Sequence, residues 1–164
     1  MKTNVTLKTL LKKFFLFPLL IISLFTAAQP DYNFQNPVLY SGSDLQAGAK
    51  YRFSGVKSGV DALVTIKSLS PGVSLNQLDA TSTGFKEAFQ PFIRVDKNTN
   101  GFVEFEFTFV KAGLSLPVSM AYVAATPIDV DGSGGLYEQD QINMGGGYVN
   151  YDLLNTQLTM GQVG

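Results

Sequence analysis

The nine residues Phe102 to Val110, FVEFEFTFV, alternate more strictly than any other stretch of the chain. Val103, Phe105, Phe107 and Phe109 fall on one side and Glu104, Glu106 and Thr108 on the other, a period of two that a helix cannot present. Burying three phenylalanines on one face contributes about 1.5–3 kcal/mol each before chain entropy is charged, so a central strand is expected here.

The rest of the chain repeats the pattern in weaker form. Val38 to Tyr40 reads as a short edge strand after a polar lead containing Pro37, and Lys50 to Val56 (KYRFSGV) as a half-buried strand closed by the turn Lys57-Ser58-Gly59. In Asp61 to Leu69, Ala62, Val64 and Ile66 share the expected core face, opposite Leu63, Thr65 and Lys67. Ser70-Pro71-Gly72 ends that strand, and Val73 to Leu78 offers a weaker one. A single helical turn is expected at Phe85 to Phe89, and Gln90 to Val95 leads into the turn before the phenylalanine strand. Leu116 to Ile128 is expected as a further strand, Tyr137 to Met144 as its return, and Tyr148 to Met160 as a last strand after Gly145-Gly146-Gly147. Short strands separated by Gly, Pro, Asn and Ser at these intervals predict an all-β fold, an antiparallel two-sheet β-sandwich of jelly-roll type.

The first 28 residues read as a signal peptide. Lys2, Lys8, Lys12 and Lys13 form a basic start, Phe14 to Phe25 an apolar run of 12 residues, and Thr26-Ala27-Ala28 the small residues before cleavage at Gln29. That run is shorter than the roughly 20 residues needed to span a bilayer, and no cysteine follows to carry a lipid anchor. A secreted or cell-surface location is expected, with no membrane insertion after the signal is removed. The domain plan is signal peptide 1–28, β-sandwich 29–144 and a glycine-rich break with a final strand or tail over 145–164.

After residue 28 the chain holds 8 basic and 13 acidic residues, a net charge of −5, which argues against nucleic acid as partner. It holds no His and no Cys, which excludes His-based triads, thiol nucleophiles and the usual zinc sites. Beyond Lys111 there is no basic residue, while Asp129, Asp131, Glu138, Asp140 and Asp152 follow.

Those acids lie mostly in AATPIDVDGSGGLYEQDQ, Ala124 to Gln141. On the calcium-loop template Asp129, Asp131 and Ser133 take positions 1, 3 and 5, Gly134 position 6, Leu136 position 8 and Asp140 position 12. Calcium held by Asp129, Asp131, Ser133 and Asp140 is the expected metal site; a solvated Asp- and Gly-rich turn is the bland alternative. Asp96, Asn98 and Asn100 match the template in part, but Phe107 at position 12 cannot ligate, and Asn100-Gly101 reads better as a hairpin turn. Glu104 and Glu106 resemble a glycosidase pair only in being two acids on one strand face.

Four segments, NPVLYSGSDLQAGAKYRFSGVKSGVDALVTI (Asn36 to Ile66), GFKEAFQPFIRV (Gly84 to Val95), NTNGFVEFEFTFVKAG (Asn98 to Gly113) and TPIDVDG (Thr126 to Gly132), carry a resemblance. Together they resemble the amino-terminal module of large secreted, adhesin-like surface proteins of Bacteroidota, especially flavobacteria. The resemblance implies a β-rich extracellular domain at the head of a chain that ends in a sorting signal for type IX secretion. Asp129, Asp131 and Gly132 match its recurrent acidic turn, Asp61 a recurrent position at a strand entry, and no catalytic residue carries over. The sequence reads to Gln162-Val163-Gly164 without that sorting tail, so a fragment, or a module serving alone, is expected. The expected function is a non-catalytic binding or structural module with a glycan or a surface protein as partner; the alternative is a carbohydrate-binding or glycan-processing domain.

Overall fold

In the computed structural model the described residues are 31–82, 85–127 and 138–145. They are all-β, with six strands in two antiparallel sheets. Strands β1 (Val38–Ser41), β2 (Lys50–Lys57), β3 (Val60–Leu69) and β6 (Val103–Lys111) form a four-stranded sheet in the order β1-β2-β3-β6. Strands β4 (Val73–Gln77) and β5 (Phe92–Val95) form a two-stranded sheet. Neither sheet closes into a barrel. No helix among the described residues is long and apolar enough to cross a membrane. The chain divides into two compact units between Ala121 and Tyr122.

Alternation decides which face of the larger sheet is dry. The register Phe53↔Ala62↔Phe109 and Tyr51↔Val64↔Phe107 places those side chains, with Ile66 and Phe105, on a single face. Phe53, Ala62, Val64 and Ile66 are fully buried there. The polar lead before β1 supplies part of the cover, a role its composition does not announce. Asn33 N donates to Val56 O at 2.9 Å and Phe34 N to Glu87 O at 2.8 Å, which sets Tyr32 and Phe34 over the sheet. Tyr32 then stacks on Phe109 at 5.2 Å, and Phe34 meets Phe53 and Phe107 edge-on at 5.3 and 5.7 Å.

The second source of cover is the connection between β4 and β5. Phe89 makes edge-to-face contacts with Phe34, Phe53, Phe105 and Phe107, with centroids 5.0–6.2 Å apart. The helical turn expected at Phe85 to Phe89 is instead one reverse turn closed by Ala88 N to Phe85 O at 2.9 Å.

Three further expectations are corrected. Among the described residues the phenylalanine strand β6 is not central: its outer side carries only the short Val110↔Pro117 bridge, with Lys111 N bonded to Leu116 O at 3.0 Å and Val118 N to Phe109 O at 2.9 Å. Its phenylalanines are accordingly incompletely covered, with Phe107 41% exposed. Over its described part, Leu116 to Pro127, the strand expected at Leu116 to Ile128 is not continuous: among the described residues its pairing stops after Val118, and Ile128 lies outside them. Residues 138–145 contain no strand, and Tyr148 to Met160 lies outside the described residues. Conversely, β5 forms within Gln90 to Val95, where the sequence suggested only a lead into a turn; pairing with β4 (Leu75↔Ile93, Val73↔Val95) supplies the register that four residues cannot fix alone.

Glycine is required by space at two positions. At Gly42, with φ +88°, a Cβ would lie 2.8 Å from Ala49 Cα and 2.9 Å from the Gly48 carbonyl, so the β1–β2 loop closes only around a hydrogen. At Gly101 a Cβ would run into Val73 Cγ2, and Phe102 N donates to Ser70 Oγ at 2.8 Å beside it. The hairpin turn expected at Asn100-Gly101 is corrected: the reverse turn lies earlier, where Thr99 N donates to Asp96 O at 3.3 Å, and it joins no hairpin, because β5 pairs with β4 and β6 with β3.

Candidate functional site

The densest polar constellation lies on the opposite face of the larger sheet, around Arg52 and Asp61. Both residues fall on that face by alternation, as diagonal neighbours across β2 and β3. Arg52 Nη1 donates to Asp61 Oδ2 at 2.8 Å, and the Asp61 side chain retains 4% exposure. A β-bulge in β2 turns the Gly55 amide, φ +66°, onto Asp61 Oδ1 at 2.8 Å. The turn after β6 brings the Gly113 amide, φ +72°, to Asp61 Oδ2 at 2.9 Å. Burial by itself raises the Asp61 pKa; the two amides and the guanidinium together outweigh it and hold the carboxyl below its usual value.

Arg52 extends the network outward. It donates from Nη1 to Leu114 O at 2.8 Å and from Nη2 to Ser115 Oγ at 3.2 Å, and its guanidinium lies 5.1 Å over the Tyr40 ring. Tyr40 and Ser115 share a 2.9 Å hydrogen bond, which is the main influence holding the Tyr40 phenol below its usual pKa. One carboxylate and one guanidinium thereby join β1, β2, β3 and the turn after β6. Sequence reading marked Asp61 only through a resemblance and passed over Arg52. The available signal was an acid inside VDALV, flanked by apolar residues on both sides, one hairpin away from the arginine of YRF.

A second polar lock closes the β1–β2 loop. Tyr51 donates its hydroxyl to Asp44 Oδ1 at 2.5 Å and accepts the Leu45 amide at 2.6 Å, where Leu45 holds φ +56°. Burial first, then the Asp44 carboxylate, pushes the Tyr51 pKa up to about 12.

Of the expected metal ligands, Asp129, Asp131 and Ser133 lie outside the described residues. Asp140 is described and exposed. Among the described residues no group of three or more acidic side chains converges on a point. The Asp96 to Thr99 segment is a reverse turn, with Asn98 at φ +60°, Thr99 N bonded to Asp96 O at 3.3 Å, and Asp96 N bonded to Gly72 O at 2.8 Å. Glu104 and Glu106 are exposed on the Arg52 face; Glu104 accepts from Ser68 Oγ at 3.1 Å and Glu106 pairs with Lys67 at 3.6 Å. That ion pair is solvated on both sides and contributes little.

Comparison with known proteins supplies no relative: no protein family, curated protein or solved structure matches the chain.

Proposed function

We propose that the chain is a non-catalytic binding or structural module of a secreted bacterial surface protein of the adhesin-like kind exported by type IX secretion. In this reading its two sheets belong to a jelly-roll-like sandwich, stabilised by calcium at Asp129, Asp131, Ser133 and Asp140. The observation that supports it most is the use made of Asp61. The most buried carboxylate of the described chain has both oxygens engaged in fastening two turns to a sheet. A charge committed to rigidity suits a surface module that folds without disulfides.

The test is thermal unfolding in millimolar calcium and in chelator. A ligand that binds only the folded state stabilises it by about 2.7 kcal/mol when its free concentration is about 100 times Kd. A higher melting temperature in calcium is expected, and the Asp129→Ala/Asp131→Ala variant should melt at the same temperature in both. An unchanged wild-type melting temperature removes calcium from the reading.

One observation favours the second reading, a carbohydrate-binding or glycan-processing domain. Glu104, Glu106 and the half-exposed Tyr40 share one sheet face, an acidic and aromatic surface of the kind sugars occupy. On an immobilised glycan panel, Glu104→Gln/Glu106→Gln is expected to abolish any binding shown by the wild type while leaving the calcium response intact. Binding that survives both substitutions takes this face out of consideration.

A further inference from the structure

The connection between β4 and β5 is fastened at its base by residues that the proposed function does not use. Ala80 N donates to Gln90 O at 2.7 Å, and Gln90 N donates to Asp79 Oδ1 at 3.2 Å. The Gln90 amide nitrogen donates to the Phe85 carbonyl. The remaining oxygen of each side chain, Asp79 Oδ2 and Gln90 Oε1, is buried without a hydrogen-bond partner among the described residues. Two orphaned acceptors at one clamp call for an explanation, because buried polar atoms are nearly always paired. Rotating the Gln90 amide does not resolve it, since Oε1 would then face the Phe85 carbonyl.

We propose that Asp79 is a proton-operated latch: a proton taken from solvent onto Oδ2 supplies the donor that the clamp lacks and holds the loop, with Phe89, against the aromatic face. The carboxylate then becomes a neutral carboxyl, one orphaned acceptor becomes a donor, and Oδ1 keeps the Gln90 amide. Phe89 lies one residue from Gln90 and contacts Phe34, Phe53, Phe105 and Phe107, so a change at the clamp reaches the core directly.

The charged surroundings do not supply a substitute. Within the loop Lys86 and Glu87 pair with each other at 4.0 Å; β4 has no charged residue, β5 has Arg94, and the lead over the sheet has Asp31. Among the described residues none of these forms an ion pair with Asp79. Burial raises the Asp79 pKa and the Gln90 amide only partly offsets it. A carboxyl with a raised folded pKa adds stability as pH falls through that value toward the unfolded one.

The test follows the Asp79 carboxyl carbon and the Phe89 ring signals by NMR in the full chain between pH 7 and pH 3. The expected midpoint lies above the reference value of 3.8, with the Phe89 signals moving at the same midpoint. In Asp79→Asn, whose amide donates permanently, the Phe89 response disappears and the melting temperature at pH 7 equals or exceeds that of the wild type. A carboxyl that titrates at or below 3.8, or Phe89 signals that stay fixed through its titration, overturns the latch; so does a lower melting temperature at pH 7 for a folded Asp79→Asn. The wild-type titration decides the matter even if the variant does not fold.

Discussion

Asp61→Ala is expected to remove about 3–5 kcal/mol of folding stability, the largest loss from any single polar substitution in the described chain, because it takes the counter-ion from a largely covered guanidinium. Arg52 keeps 16% side-chain exposure and cannot fully rehydrate, and the amides of Gly55 and Gly113 lose their acceptor together. Arg52→Ala is expected to cost less, since Asp61 retains both amides. The double variant should lose less than the two single losses combined, because the pair is counted in each. Urea unfolding of the four proteins measures this, and strict additivity would show that the ion pair contributes nothing.

The same carboxylate sets one arm of the acid response. Its folded pKa lies below the unfolded value near 3.8, so its contribution is present above that pH and disappears as pH falls through the folded value. Asp79 acts with the opposite sign, adding stability as pH falls through its raised folded value toward 3.8. Asp61→Asn should therefore flatten the loss at the acid end and leave the gain at milder acidity.

Phe53→Ala is expected to cost about 3–5 kcal/mol, whereas Phe107→Ala should cost about 1–2 kcal/mol. Both rings lie on the same sheet face and both touch Phe34 and Phe89. They differ in cover: Phe53 sits on an interior strand and is fully buried, while Phe107 sits on the edge strand and is 41% exposed. Equal losses in urea unfolding would mean that β6 is covered in solution to the same extent as β2.

Much of the fold is legible in residue order. The strands at Val38, Lys50, Asp61, Val73 and Val103 begin within one or two residues of where alternation and turn residues place them. Alternation is a local property, and one buried face leaves its mark on every second residue. The aromatic cover is less legible, because Tyr32, Phe34 and Phe89 lie in segments with no period and reach the sheet through backbone bonds to Val56 and Glu87. The site is less legible still. FVEFEF advertises its acids by repetition and leaves them in solvent, while the single acid of VDALV is the one the fold encloses.

By itself the sequence determined the all-β class, the position of most of the turns and the face each strand turns inward, because these follow from the chirality and two-residue period of an extended chain. Only the tertiary structure decided that, among the described residues, β2 and β3 lie inside the sheet and β6 at its edge. A phenylalanine row reports that one face is dry and says nothing about how many strands pair beside it. The same holds for the carboxylates: what separates Asp61 and Asp79 from Glu104 and Glu106 is which amides, guanidinium or apolar walls approach them, and those come from residues up to 52 positions away.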